Sequence, residues 1–219
     1  MTKIDWGAFY NCESLKSIII GNSVTEIGDC AFSYCTSLES VIIGNSVTTI
    51  GKWAFSVCTS LESIIIGNSV TEIGEDAFKG RKIVICKNVE LDCKKIESTK
   101  DSNISDIVKM LNTEDFSMAM ALSVKYDVLC KFFLTDYSSE AFDTYFKKNF
   151  TKIFTFAIDN SNVELVEKVA KGKKLITKRN IDKFIDYANE KRQTEIQVIL
   201  MNYKHDNIGF DDPLKDFKL

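Results

Sequence analysis

A period of 23 residues runs without a gap through the first third of the chain, and no other feature limits the fold so strictly. From Ala8 the sequence reads AFYNCESLKSIIIGNSVTEIGDC, from Ala31 AFSYCTSLESVIIGNSVTTIGKW, from Ala54 AFSVCTSLESIIIGNSVTEIGED, and Ala77-Phe78 opens a fourth unit. A unit this short cannot close a core of its own, so its apolar side must be buried against neighbouring units. The chain is therefore expected to begin as a solenoid in which equivalent side chains stand in ladders.

Within one unit, Leu61-Glu62-Ser63-Ile64-Ile65-Ile66 sends Leu61, Ile64 and Ile66 to one side and Ile65 to the other, the alternation of a strand. Each unit is read as supplying one strand. Gly67-Asn68-Ser69 then turns the chain, on the ground that Gly and Asn accept positive φ. Val70, Ile73, Ala77 and Phe78 follow as inward residues of the return path. Stacking predicts one ladder of Phe9, Phe32, Phe55 and Phe78, and another of Cys12, Cys35 and Cys58 acting as small apolar fillers. The pattern decays at Ile83-Val84-Ile85-Cys86-Lys87-Asn88-Val89, which aligns with Ile64 to Val70 after a four-residue deletion and supplies a last strand.

The L-x-x-L-x-L strand and the segment IGNSVTEIGDCAFSYCTSLESVIIGNSV resemble the BspA-like subfamily of leucine-rich repeats over about residues 4 to 89. That resemblance implies a protein-binding or adhesive role with no chemistry attached, in a family that is mostly bacterial and often found at the cell surface. Two features depart from it. Gly21, Gly44 and Gly67 stand where the family commonly has proline, and Met1-Thr2-Lys3-Ile4-Asp5-Trp6-Gly7 lacks the basic and apolar segments of an export signal. As written, the chain is expected in the cytoplasm; as part of a longer protein, it would be the C-terminal part of a surface adhesin.

A net charge of -3 gives no basic face for nucleic acid or an anionic membrane, and no apolar run is long enough to span a bilayer. The seven cysteines form no C-x-x-C, and the single histidine, His205, has no nearby thiol, so neither a metal nor another cofactor is expected. Catalysis by Ser or Cys would need an activating base, which the sequence does not place beside either. Glu72, Glu75 and Asp76 read as exposed turn residues, and each Gly-Asn-Ser lacks the context of a phosphate-binding loop. An enzyme with a site in the helical part is the weakest of the readings.

The expected fold class is an α+β repeat protein: a short leucine-rich-repeat solenoid with a parallel sheet over residues 1–93, a polar linker at 94–104, an all-α domain of helix pairs at 105–205, and an extended tail at 206–219 containing Pro213. Ser105, Ser139 and Thr194 are placed as helix starts, with helix pairs at about 115–135, 150–170 and 180–203. Each pair carries a small residue before a polar turn, a weak resemblance to ankyrin-type helix pairs; a plain helical bundle fits as well.

The outward positions of successive strands are Lys16, Ser17 and Ile19, then Glu39, Ser40 and Ile42, then Glu62, Ser63 and Ile65. Isoleucine on an open face is what strand propensity favours, and it is also what a binding stripe would carry. The leading expectation is a scaffold that binds an unknown protein partner there. The first coil starts in mid-repeat, so its edge meets a second copy or another protein, or the chain continues a longer one.

Overall fold

The computed structural model describes residues 2–79, 83–92, 96, 98–99, 103–135, 137–172 and 174–209. The tail expected at 206–219 falls outside the described residues from 210 onward. Two compact units divide the chain, residues 1–135 and 136–219.

The first unit is the solenoid. Its long strands β2 (Ser17–Ile20), β4 (Ser40–Ile43), β6 (Ser63–Ile66) and β8 (Ile83–Cys86) pair in parallel, and β9 (Val89–Asp92) adds antiparallel to β8. The return path carries a second parallel sheet of two-residue strands, β1 (Lys3–Ile4), β3 (Glu26–Ile27), β5 (Thr49–Ile50) and β7 (Glu72–Ile73). Each coil thus supplies two strands rather than one. Two residues are too few to show alternation, which is why the sequence reads only the longer strand.

The core lies between the sheets and is built of ladders. Phe9, Phe32, Phe55 and Phe78 stack with ring centroids 5.0, 5.2 and 6.1 Å apart and nearly parallel planes. The cysteine ladder does more than fill space: the Cys35 thiol donates to the Phe9 carbonyl at 3.1 Å, and the Cys58 thiol to the Phe32 carbonyl at 3.0 Å. Asparagine forms a third ladder, with Asn22 Oδ1 accepting from Asn45 N at 2.9 Å and Asn45 Oδ1 from Asn68 N at 3.0 Å.

Glycine at the turn has a different cause from the one the sequence suggests. Gly44 and Gly67 do not have positive φ; the left-handed residues of the coils are others, among them Tyr34, Trp53 and Val57. Coils approach so closely at the turn that a Cβ on Gly67 would stand far inside contact distance of the Gly44 carbonyl, whereas one on Gly21 meets nothing within 4 Å. The matched substitutions should separate these causes. Gly67→Ala is expected to cost about 1–3 kcal/mol by overpacking, and Gly21→Ala less than about 0.5 kcal/mol, as read from urea unfolding. Equal losses would restore the turn-conformation account.

A second correction concerns β8. It pairs Ile83 with Ser63, Val84 with Ile64, Ile85 with Ile65 and Cys86 with Ile66, one residue away from the alignment drawn from sequence. The reason is alternation: this register buries Val84 and Cys86, and the slipped one would turn both outward. Lys87 and Asn88, with φ of 47 and 62°, form a two-residue hairpin turn rather than a repeat of the coil turn.

Among the described residues, this unit continues with the helices α1 (Ile104–Thr113) and α2 (Leu122–Leu134). Asn103, not Ser105, caps α1, accepting from Asp106 N at 2.8 Å; Ser105 already lies inside the helix. Residues 115–121 are not helical, so the expected pair at 115–135 is the single helix α2. Helix α2 packs on β9, while Asn112 at the end of α1 donates to the carbonyls of Gly67 and Val70 at 3.2 and 2.7 Å. Lys87 pairs with Glu114 at 3.0 Å, tying the hairpin to the end of α1. The polar stretch at 94–104 is thus followed by two helices that belong to the solenoid's compact unit.

The second unit is two helix hairpins, α3 (Glu140–Asp159) with α4 (Val163–Gly172), and α5 (Ile181–Glu190) with α6 (Thr194–Asn207). Ser139 caps α3 as expected, accepting from Phe142 N at 3.1 Å; α6 starts at Thr194 with Gln193 at the cap position and no side-chain cap bond. The two turns share one geometry. Ser161 and Arg192 are left-handed, and the next residue in each, Asn162 or Gln193, donates back to a buried alanine carbonyl, Ala157 or Ala188. Both alanines are fully buried, so a larger side chain at either would have to displace its packed neighbours. Phe150, Phe154 and Phe184 form the aromatic centre, with Phe184 edge-on to both others.

Candidate protein-binding face

The long-strand sheet turns one side to the core and leaves the other open. Ile18, Ile20, Val41, Ile43, Ile64 and Ile66 face inward, while Lys16, Ser17, Ile19, Glu39, Ser40, Ile42, Glu62, Ser63 and Ile65 sit at the outward or strand-entry positions. Ile19 is 75% exposed, Ile42 40% and Ile65 42%. Because the coils are in register, Ile19 neighbours Ile42, and Ile42 neighbours Ile65, at the strand spacing of about 4.8 Å. Ser17, Ser40 and Ser63 form the adjoining row, and Lys16, Glu39 and Glu62 flank it where the chain enters each strand.

The corrected register adds a residue that the sequence reading missed. Ile85 pairs with Ile65 and extends the row to a fourth strand, half-exposed, with Glu90 of β9 beyond it. The hairpin signal at Lys87-Asn88, followed by the inward residues Val89 and Leu91, could have located it.

A second exposed set lies on the turn edge of the coils: Trp6, Tyr10, Tyr34, Trp53 and Val57. Tyr34, Trp53 and Val57 hold φ of 63, 53 and 56°, a region that costs an L-residue roughly 1–2 kcal/mol and suits a β-branched one least. The Tyr10 and Tyr34 rings are 5.4 Å apart. These positions escaped the sequence reading because the repeat does not conserve their residue type from coil to coil.

Among the described residues, no group of three or more His, Cys, Asp or Glu side chains is placed to hold a metal. His205 is exposed at the end of α6, its Nδ1 2.8 Å from Asp206. A wide recess of about 450 Å³ in the second unit is lined by Glu167, Lys171, Asn202, Tyr203 and Asp206, but the Tyr203 hydroxyl donates to the Ile176 carbonyl at 3.0 Å. No helix is long and apolar enough to cross a membrane, among the described residues.

None of the curated proteins compared matches the chain. Solved structures with similar segments include a leucine-rich repeat protein from Bacteroides ovatus (39% identity, 37% of this chain and 21% of that one, TM-score 0.36). A leucine-rich cell surface protein from Faecalibacterium prausnitzii is 26% identical over 37% of this chain and 35% of that one (TM-score 0.28). The leucine-rich repeat protein of T. pallidum is 31% identical over 37% of this chain and 48% of that one (TM-score 0.29). The chain thus spans less than half the length of each. The description "BspA type leucine-rich repeat region" matches residues 1–119 in six copies, so the chain belongs to the BspA-type leucine-rich repeat family, whose members are generally interaction or surface proteins.

Proposed function

We propose that the protein is a binding module that holds a protein partner against the open face of the long-strand sheet, with Ile19, Ile42, Ile65 and Ile85 as the apolar anchor. Lys16, Glu39 and Glu62 and the serine row Ser17, Ser40 and Ser63 supply polar contacts at its margin. The observation that carries this reading is an in-register row of exposed isoleucines on the open face of the sheet. Threonine would suit the strand equally well and would be better solvated, so propensity alone does not require isoleucine in each coil. Covering roughly 200 Å² of the row would contribute about 5 kcal/mol before association costs, enough for an anchor and too little for a whole interface.

Among the described residues, Cys12, Cys30, Cys35, Cys58, Cys86 and Cys130 form no disulfide, which suits a reducing compartment. The same face would serve a surface adhesin, so the test does not depend on location. The intact chain and a triple Ile19→Ser, Ile42→Ser, Ile65→Ser variant, shown folded by circular dichroism, are compared as baits in lysate of the source organism. A protein captured by the first should bind the variant at least about tenfold more weakly. Equal binding by both would move the site to the aromatic turn edge at Tyr34 and Trp53.

A further inference from the structure

A net charge of -3 hides one strongly positive stretch. Between Glu167 and Asp182 the sequence carries Lys168, Lys171, Lys173, Lys174, Lys178 and Arg179, and no acidic residue. The stretch leads from α4 into α5, and Lys171, Lys174, Lys178 and Arg179 are exposed. The acids at its two ends are already engaged, Glu167 with Lys171 at 3.2 Å and Asp182 with Lys204 at 2.6 Å.

The backbone that carries these charges is tied down by side chains. Ile176 is buried, and its carbonyl accepts from the Tyr203 hydroxyl at 3.0 Å. Asn180 Oδ1 accepts from Thr177 N at 2.7 Å, and Asn180 Nδ2 donates to the Leu175 carbonyl at 3.0 Å. Asn180 is thereby spent on the loop and makes no side-chain bond to the first turn of α5, a helix end that is itself partly positive. Lys178 and Arg179 stand directly before that end, where cations are disfavoured. An anion bound there would offset both.

The recess of about 450 Å³ in this unit adjoins the stretch, because Lys171 lines it together with Ala170, Ile199 and Tyr203. Glu167 and Asp206 also line it and would repel a carboxylate, so the recess suits an aliphatic side chain and the loop suits the acids.

We propose that this connection binds an acidic segment of a partner protein, with carboxylates over Lys171, Lys174, Lys178 and Arg179 and a neighbouring aliphatic side chain in the recess. A lone phosphate would leave the recess unused. Among the described residues, no exposed aromatic ring on which bases could stack lies on α4, α5 or the stretch between them. The surface is separate from the open sheet face and does not depend on it.

Fluorescence anisotropy tests this on the purified full chain, with a labelled peptide of ~10 residues in which Asp and Glu surround one leucine. The acidic peptide is expected to bind at least about tenfold more tightly than its Asn and Gln counterpart, and to weaken as salt rises from ~50 to ~200 mM. Lys174→Glu with Arg179→Glu should lower the affinity at least about tenfold and melt no lower than the unaltered chain, since acids suit the start of a helix. Lys174→Gln with Arg179→Gln, the milder change, should lose affinity in the same direction. Lys147→Glu with Lys148→Glu, an equal change of charge on exposed residues of α3, should leave binding as it was. Replacing the peptide's leucine by glutamine should weaken binding about threefold or more. Equal affinity for acidic and neutral peptides, equal loss in the two charge-reversed chains, or indifference to the leucine overturns the proposal. So does tighter binding of a uridine-rich RNA oligomer or of phosphatidylserine vesicles, which would make the stretch a nucleic-acid or membrane site. The triple isoleucine variant should bind the peptide as the intact chain does, so this proposal and the sheet-face reading fail separately.

Discussion

Phe55→Ala is expected to destabilise the solenoid by about 3–5 kcal/mol, the cost of emptying a site that the neighbouring coils cannot refill. Phe55 is fully buried between Phe32 at 5.2 Å and Phe78 at 6.1 Å, so its removal breaks two stacking contacts at once. Stability in a stack of coils is roughly the sum of each coil and its contacts with the next, so a void at an inner coil weakens both interfaces. Phe9→Ala, at the half-buried edge and stacked on one side, should cost less than half as much. Both tryptophans, Trp6 and Trp53, lie in this unit, so their fluorescence during urea unfolding reports on it without interference from the second. A midpoint for Phe55→Ala equal to that of the unaltered chain would refute the ladder as the source of stability.

That the ladder could be read from the sequence at all follows from periodicity. A contact that recurs every 23 residues is written once per coil, so Phe9, Phe32, Phe55 and Phe78, the cysteines, and the outward isoleucines are all legible in the sequence. What recurs only as backbone was harder to see. The two-residue strands of the second sheet leave no alternation, and Gly44 and Gly67 are required by the closeness of the next coil, a property of stacked backbone that no single unit displays. Where the repeat stops, sequence alignment loses its guide: the one-residue error at β8 hid Ile85 from the open face, because burial of Val84 and Cys86, not similarity to earlier coils, sets that register. That helices cover the far end of the stack is legible in the sequence, but the contacts that close it are not, since Asn112 acts on Gly67 and Val70 from more than 40 residues away. The open face itself was legible as geometry, and its partner was not, because outward residues are constrained by whatever binds them rather than by the fold.

Raising the pH should unfold the first unit well before backbone chemistry does. Burial pushes the Cys86 and Cys130 thiols from about 9 up to about 12, with the neighbouring Asp127 carboxylate adding to the shift at Cys130 and Lys87 opposing it at Cys86. Burial also raises Cys35, and there the Cys12 backbone opposes the shift. In the unfolded chain these thiols ionise near pH 9, whereas in the fold they stay protonated, so above pH 9 the folded state binds more protons and stability falls as pH rises toward 12. At pH 11 two thiols, each held neutral about two units beyond the point where the unfolded chain ionises, account for a loss of about 5 kcal/mol. Lys125 works in the opposite sense: burial lowers its pKa, so the unfolded chain binds more protons there, and stability rises with pH below the ordinary lysine value. Its ammonium is held at the Met118 carbonyl, 2.9 Å away, and it offsets only part of the thiol effect. Urea midpoints at pH 8, 10 and 11 should therefore fall steeply between the last two. Cys86→Ala with Cys130→Ala should lower stability at pH 8 through the lost packing and the lost hydrogen bond to Asn112, yet flatten the decline above pH 9. If the doubly substituted chain loses stability in parallel with the unaltered one, the thiols are not the groups that open the fold.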